Sequence, residues 1–200
     1  DGINLRSQAD ARLLADITNN QIRFNLGNGI NLNDVYANFD TDKRQIGGTW
    51  TNNTISNNTQ NGILIAGRHG LSDETTSVNT PLVIGQEGQG NLIENNGGNG
   101  IRIFGVTTIP GSHRSSATGT VSITNNIIRT NSDSGLFLQS ANEQIDIRHN
   151  QIEANIGKGI DIEVVHGIPT VPTNVGLPGL ISVTIRDNVI TAQRNGAEQG

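Results

Sequence analysis

The chain has 200 residues, a formal net charge of −5 and no cysteine. The acidic balance argues against a nucleic-acid partner, which needs a basic footprint, and a chain without cysteine has no disulfide framework. No apolar stretch approaches the roughly 20 residues of a membrane-spanning helix, and aromatic residues at 3% leave the core to Ile, Leu and Val.

The chain opens on Gly2-Ile3-Asn4-Leu5, an alternating run whose apolar residues share one face of a strand. Asn20, Ile22, Asn25 and Gly29 then set a pattern that recurs along the chain. An Asn is followed by Ile two residues on, by a second Asn after five, and by Gly after nine, with apolar-x-apolar behind it. The pattern returns at Asn53, Ile55, Asn58 and Gly62-Ile63-Leu64-Ile65, and at Asn91, Ile93, Asn96 and Gly100. It returns again at Asn126, Ile128, Asn131 and Gly135-Leu136-Phe137-Leu138, and at Asn150, Ile152, Asn155 and Gly159-Ile160-Asp161-Ile162. Asn188 and Ile190 open a sixth copy, whose Gly196 arrives one residue early.

A fixed repeat of this length implies stacked coils, because a single coil cannot bury its own apolar face. No run sustains a helical period, and β-branched residues dominate the apolar set. The shortest interval, 24 residues from Asn126 to Asn150, fits three short strands and three turns, while intervals of 33 to 38 elsewhere call for insertions. The expectation is therefore one all-β solenoid domain over residues 1–200, of about six coils. Both chain ends fall inside the repeat, so the chain is also expected to be a segment of a longer one.

The equivalent asparagines predict two ladders in which each side-chain amide donates to the next carbonyl, roughly 4.8 Å away. One runs through Asn20, Asn53, Asn91, Asn126, Asn150 and Asn188, the other through Asn25, Asn58, Asn96, Asn131 and Asn155. The residue before each Asn of the first ladder is Asn19, Asn52, Gly90, Asn125, His149 or Asp187, all types that tolerate a left-handed backbone. His149 is accordingly read as a turn residue and not as a catalyst.

Residues 83–103 carry Val83-Ile84-Gly85, Gly88-Gln89-Gly90-Asn91-Leu92-Ile93 and Asn96-Gly97-Gly98-Asn99-Gly100-Ile101-Arg102-Ile103. This stretch resembles the degenerate repeats of large bacterial surface proteins. Nearly the whole chain resembles the right-handed parallel β-helix of pectate-lyase-like and related secreted proteins. The resemblance implies a right-handed parallel solenoid in an extracellular or cell-surface location; a fold alone does not assign an activity.

The insertions, at roughly 33–48, 66–89, 104–119 and 164–182, all follow the Gly-apolar-x-apolar strand and are expected to leave one edge of the solenoid. Insertions aligned on one face often form the binding surface of a repeat protein. Beside them the outward face of that strand is read, coil by coil, as Asn31 and Asn33, Leu64 and Ala66, Arg102 and Phe104, Phe137 and Gln139, Asp161 and Glu163. Arg102, Phe104, Phe137, Gln139, Asp161 and Glu163 are the ligand-binding candidates. Paired carboxylates suit acid–base cleavage of a glycosidic bond, or a Ca²⁺ ion holding an acidic polysaccharide. Arg102 is expected two coils from Asp161, and His69, His113 and His166 fall in adjacent insertions. Were the chain an enzyme, Arg102, Asp161, Glu163 and His166 would carry the chemistry.

Several features oppose that enzyme. The chain has no Asp-Pro-His triplet, no adjacent aspartate pair and no repeated Lys/Arg pair along one strand, the marks of the epimerases, hydrolases and lyases of this fold. Asp40-Thr41-Asp42 lacks the glycine and downstream glutamate of a Ca²⁺ loop, and no metal or other cofactor is expected. The apolar, proline-rich insertion holding Val171, Val175, Leu177 and Leu180 is expected to fold over Phe104 and Phe137. The reading is a non-catalytic structural and binding segment that presents loops to a polysaccharide or a surface protein. A lyase, hydrolase or epimerase acting on acidic polysaccharide is the alternative.

Overall fold

The structure, a computed structural model, describes residues 1–6, 12–33, 45–66, 81–104, 120–139, 144–163 and 182–194. Three parallel sheets run the length of the stack. Sheet I consists of Ile3–Leu5, Ile30–Asn33, Ile63–Ala66, Ile101–Phe104, Leu136–Gln139 and Ile160–Glu163, the strands that follow the repeated glycine. Sheet II follows in each coil as Arg12–Leu14, Gln45–Thr51, Leu82–Ile84, Thr120–Thr124, Gln144–Arg148 and Ser182–Arg186, with Ile17–Thr18 paired beside Gln45–Thr51. Sheet III closes the coil as Gln21–Arg23, Thr54–Ser56, Leu92–Glu94, Ile127–Arg129, Gln151–Glu153 and Val189–Thr191. Each coil thus has three strands, as its shortest interval requires. Two expected insertions are shorter than the sequence suggested, because Gln45–Thr51 begins inside the first and Leu82–Ile84 lies inside the second as sheet II strands. Glycines at 47 and 48 hid the first of these from a reading based on apolar alternation.

The register is unbroken, and it stacks like upon like. Ile3, Ile30, Ile63, Ile101, Leu136 and Ile160 form one column, and Leu5, Leu32, Ile65, Ile103, Leu138 and Ile162 the next. Sheet II contributes Ile17, Trp50, Ile84, Ile123, Ile147 and Ile185, and sheet III contributes Ile22, Ile55, Ile93, Ile128, Ile152 and Ile190. Each buried Ile or Leu stabilises by about 1.5–3 kcal/mol relative to exposure. One member is aromatic, contrary to the all-aliphatic core expected. Trp50 is fully buried and its indole donates to the Ala15 carbonyl at 3.0 Å. Gly48 stands in the register position of Leu82, and a Cβ there would strike the Ala15 backbone.

Both asparagine ladders are present. In the first, Asn20 Nδ2 donates to Asn53 Oδ1 at 3.1 Å, Asn53 to Asn91 at 3.0 Å, Asn91 to Asn126 at 2.9 Å, Asn126 to Asn150 at 3.0 Å and Asn150 to Asn188 at 2.9 Å. In the second, Asn25 donates to Asn58 at 2.8 Å, Asn58 to Asn96 at 2.9 Å, Asn96 to Asn131 at 3.0 Å and Asn131 to Asn155 at 2.9 Å. Every interior amide also donates to a carbonyl of the preceding coil, as Asn131 does to Ile93, and every interior Oδ1 also accepts a backbone N–H. Such a buried amide has no unmet bond. The second ladder has one rung more than expected. The backbone N–H of Asn155 donates to Gln193 Oε1, and Gln193 Nε2 donates to the Ile152 carbonyl, as the asparagines do.

A third ladder was not foreseen. Asn28, Asn61, Asn99 and Ser134 precede four of the repeated glycines, and their bonds run the opposite way. Asn61 Nδ2 donates to Asn28 Oδ1 at 2.9 Å, Asn99 Nδ2 to Asn61 Oδ1 at 3.1 Å, and the Ser134 N–H to Asn99 Oδ1 at 3.1 Å. Asp1 accepts from Asn28 at one end, and Ser134 Oγ accepts from the Lys158 N–H at the other.

The turns are left-handed where expected. Asn19, Asn52, Asn125, His149 and Asp187 have φ between 55° and 60°. Gly90 does not share that conformation; a Cβ there would strike the Asn125 carbonyl, so close approach is what requires its glycine. A second left-handed line, before the second ladder, comprises Phe24, Asn57, Asn95, Thr130, Ala154 and Ala192.

Candidate functional site

The outward face of sheet I is built as the alternation predicts. Pairing places Asn31, Leu64, Arg102, Phe137 and Asp161 in one row and Asn33, Ala66, Phe104, Gln139 and Glu163 in the next. All five segments between the later sheet I and sheet II strands begin at the downstream end of this face. The longer insertions themselves, with His69, His113, His166, Asp40, Asp42, Val171, Val175, Leu177 and Leu180, lie outside the described residues. So does the expected covering of Phe104 and Phe137.

Arg102 is the centre of the face. Its guanidinium carbon lies 5.2 Å from the Phe104 ring centroid and 5.3 Å from that of Phe137, so two aromatic rings lie within cation–π reach of one cation. All three side chains are half-buried. Arg102 Nε is enclosed and has no hydrogen-bond partner among the described residues. An enclosed guanidinium N–H without a partner favours an incoming acceptor.

The carboxylates form a separate group. Phe137 stands between Arg102 and Asp161 in the row, which separates those two backbones by about 10 Å, two strand spacings. Asp161 Oδ1 accepts from Lys158 Nζ at 2.7 Å, and Glu163 Oε2 accepts from Gln139 Nε2 at 3.1 Å. The hydrogen bond to Asp161 raises the Lys158 pKa above its ordinary value. Asp161 Oδ1 is thus taken up by the Lys158 ammonium group. The candidates thus fall into two clusters: Arg102 with Phe104 and Phe137, and Asp161 and Glu163 with Lys158 and Gln139. Lys158 was not anticipated, although its place three residues before Asp161 was visible.

Among the described residues, no three His, Cys, Asp or Glu side chains are grouped as a metal site would need. No helix among them is long and apolar enough to cross a membrane.

Comparison with known proteins agrees with this architecture. No curated protein and no solved structure matches the chain. The family model described as the right-handed beta helix region matches residues 1–164, which takes in all six sheet I strands. With its three parallel sheets in register and its stacked asparagines, the chain belongs to the right-handed β-helix family.

Proposed function

We propose that this chain is a non-catalytic scaffold and binding segment, working outside the cell or at its surface, whose sheet I face and insertion edge hold a glycan chain or a protein surface. What supports this reading is the state of the carboxylates. Acid–base cleavage of a glycosidic bond needs one carboxyl group free to give a proton and another free to attack or to activate water. Asp161 is instead occupied by Lys158, Glu163 is bonded to Gln139, and Phe137 separates both from the cation at Arg102. What remains is an arginine beside two phenyl rings, residue types enriched in interfaces. A rigid solenoid offers contacts over several coils and the loops between them.

The test is a binding screen against acidic and neutral polysaccharides and surface-protein extracts. Shortening the 67–80 or 164–181 segment is expected to weaken any binding more than the double change Arg102→Ala, Asp161→Asn. Binding abolished by the double change but unaffected by either shortening would contradict a spread contact surface.

A further inference from the structure

We propose that the ladders shield a set of asparagine–glycine bonds from spontaneous deamidation, and that unfolding turns these bonds into modification sites whose products no longer refold. Asn28-Gly29, Asn61-Gly62, Asn96-Gly97 and Asn99-Gly100 are the pairs of this kind among the described residues. Asn195-Gly196 lies outside them. In such a pair the glycine nitrogen is unhindered, because its residue has no Cβ. It attacks the asparagine Cγ: a C–N bond forms, the Cγ–Nδ2 bond breaks, and the N–H proton leaves with the departing ammonia. Water then opens the cyclic imide at either carbonyl, giving aspartate or isoaspartate.

The stack restrains every participant in that reaction. The attacking N–H groups are all engaged: Gly29 donates to the Asn61 carbonyl at 3.0 Å, Gly62 to Asn99 at 3.0 Å, Gly97 to Asn58 at 2.8 Å and Gly100 to Ser134 at 3.0 Å. The side chains are held as well. Asn61 Nδ2 donates to Asn28 Oδ1, Asn99 Nδ2 to Asn61 Oδ1, and Asn96 Nδ2 to Asn131 Oδ1 and the Ile55 carbonyl. Turning a Cγ onto its glycine nitrogen breaks those bonds. Water is kept out too, since Asn28, Asn61, Asn96 and Asn99 are 3%, 9%, 0% and 4% exposed.

The products do not fit the stack. Aspartate at 61 sets a carboxylate against Asn28 Oδ1, and at 96 against Asn131 Oδ1 and the Ile55 carbonyl, none of which has a proton to give. Isoaspartate routes the main chain through the side-chain carbon. At 61 or 99 that extra backbone atom falls just before the sheet I strand Ile63–Ala66 or Ile101–Phe104, whose register it shifts. A chain modified while unfolded is thereby withdrawn from the folded population.

The test follows the unsubstituted full chain in three incubations: native at mildly alkaline pH, unfolded in urea at the same pH, and unfolded in urea at mildly acidic pH, where the attacking nitrogen keeps its proton. Peptide masses and isoaspartate content report each site, with Asn126-Ile127 and Asn155-Ile156 as internal references whose branched neighbour hinders attack. All samples then return to one neutral buffer, and Trp50 fluorescence gives the refolded fraction. Deamidation at the four sites is expected to be at least about tenfold slower in the native chain than in the alkaline unfolded one. Refolding should fail in step with asparagine loss after the alkaline incubation and stay complete after the acidic one. Native and unfolded chains deamidating at similar rates would overturn the proposal. So would deamidated chains that refold as well as fresh ones, or an equal loss of refolding in acid with the asparagines intact.

Discussion

Asn58 and Asn61 lie three residues apart in one turn yet pass their amide protons in opposite directions: Asn58 Nδ2 forward to Asn96 at 2.9 Å, Asn61 Nδ2 back to Asn28 at 2.9 Å. The opposed amide dipoles partly cancel, so a stack of aligned amides does not build up a large field along the axis. The two lines also fix each coil against its neighbours on both sides. A coil that slipped by one residue would break all three ladders and turn its apolar residues outward together.

Removing one rung should be costly. Asn131→Ala removes the Oδ1 that accepts from the Asn96 amide and N–H, and the amide that donates to Asn155 Oδ1 and the Ile93 carbonyl. The expected loss is about 1–3 kcal/mol in urea unfolding, followed by the fluorescence of the single buried tryptophan, Trp50. Gln60→Ala, at an exposed position with no described side-chain bond, should stay within about 0.5 kcal/mol. Equal effects at the two positions would mean that the ladders do not stabilise the stack.

Charge in a ladder should make stability depend on pH. Asn58→Asp keeps the shape but sets a buried carboxylate against Asn96 Oδ1, which has no proton to give. Burial raises the carboxyl pKa in the folded state above the unfolded value of about 3.9. The folded variant then binds more protons than the unfolded chain, and its stability falls as pH rises. Relative to the unsubstituted chain, the deficit should be largest near neutral pH and shrink on acidification. A deficit independent of pH would show that the residue is not buried in a ladder.

The repeated glycine is required by space and not by backbone angle. A Cβ on Gly100 would lie 2.5 Å from Ile128 Cγ2, 2.7 Å from the Gly135 carbonyl oxygen and 3.0 Å from Asn131 Nδ2. That oxygen belongs to the sheet I pairing and cannot retreat, so Gly100→Ala should cost about 1–3 kcal/mol. A neutral substitution would indicate that the coils separate more easily than their register implies.

The second left-handed line contains residues ill suited to it. Ala154 has φ of 54° in the line where Asn57 and Asn95 have φ of 55°. Left-handed backbone costs a residue with a Cβ roughly 1–2 kcal/mol, and asparagine tolerates it better. Ala154→Asn should raise stability by about 0.5–1 kcal/mol, and Ala154→Val should lower it. Loss of stability in the asparagine variant would contradict the left-handed turn.

Much of this fold was legible because the residues that form it recur at one offset. Asn, Ile, Asn and Gly at fixed spacing predicted the two ladders, the aliphatic columns and His149 as a turn residue with φ of 55°. The third ladder was harder to see because its chemistry is mixed: Asp1, Asn28, Asn61, Asn99 and Ser134 do their work through any oxygen that accepts. Gln193 escaped notice for the same reason, although it sits five residues after Asn188. Trp50 was missed because the two glycines before it broke the apolar alternation of its strand. At the candidate site, register brought Arg102 beside Phe104 and Phe137 as alternation implied. The pairing of Asp161 with Lys158 depends on side-chain geometry that spacing alone does not settle, and His166 lies outside the described residues.

The most direct test of a binding scaffold against an enzyme is turnover. The chain should be incubated with a panel of pectins and alginates, with new reducing ends, unsaturated uronate and changes in uronate composition followed over time. A scaffold with Asp161 and Glu163 already engaged should release nothing above a buffer control and leave the uronate composition unchanged. Turnover of an acidic polysaccharide, abolished by Arg102→Ala with Asp161→Asn in a protein that still unfolds cooperatively, would show that the sheet I face is catalytic.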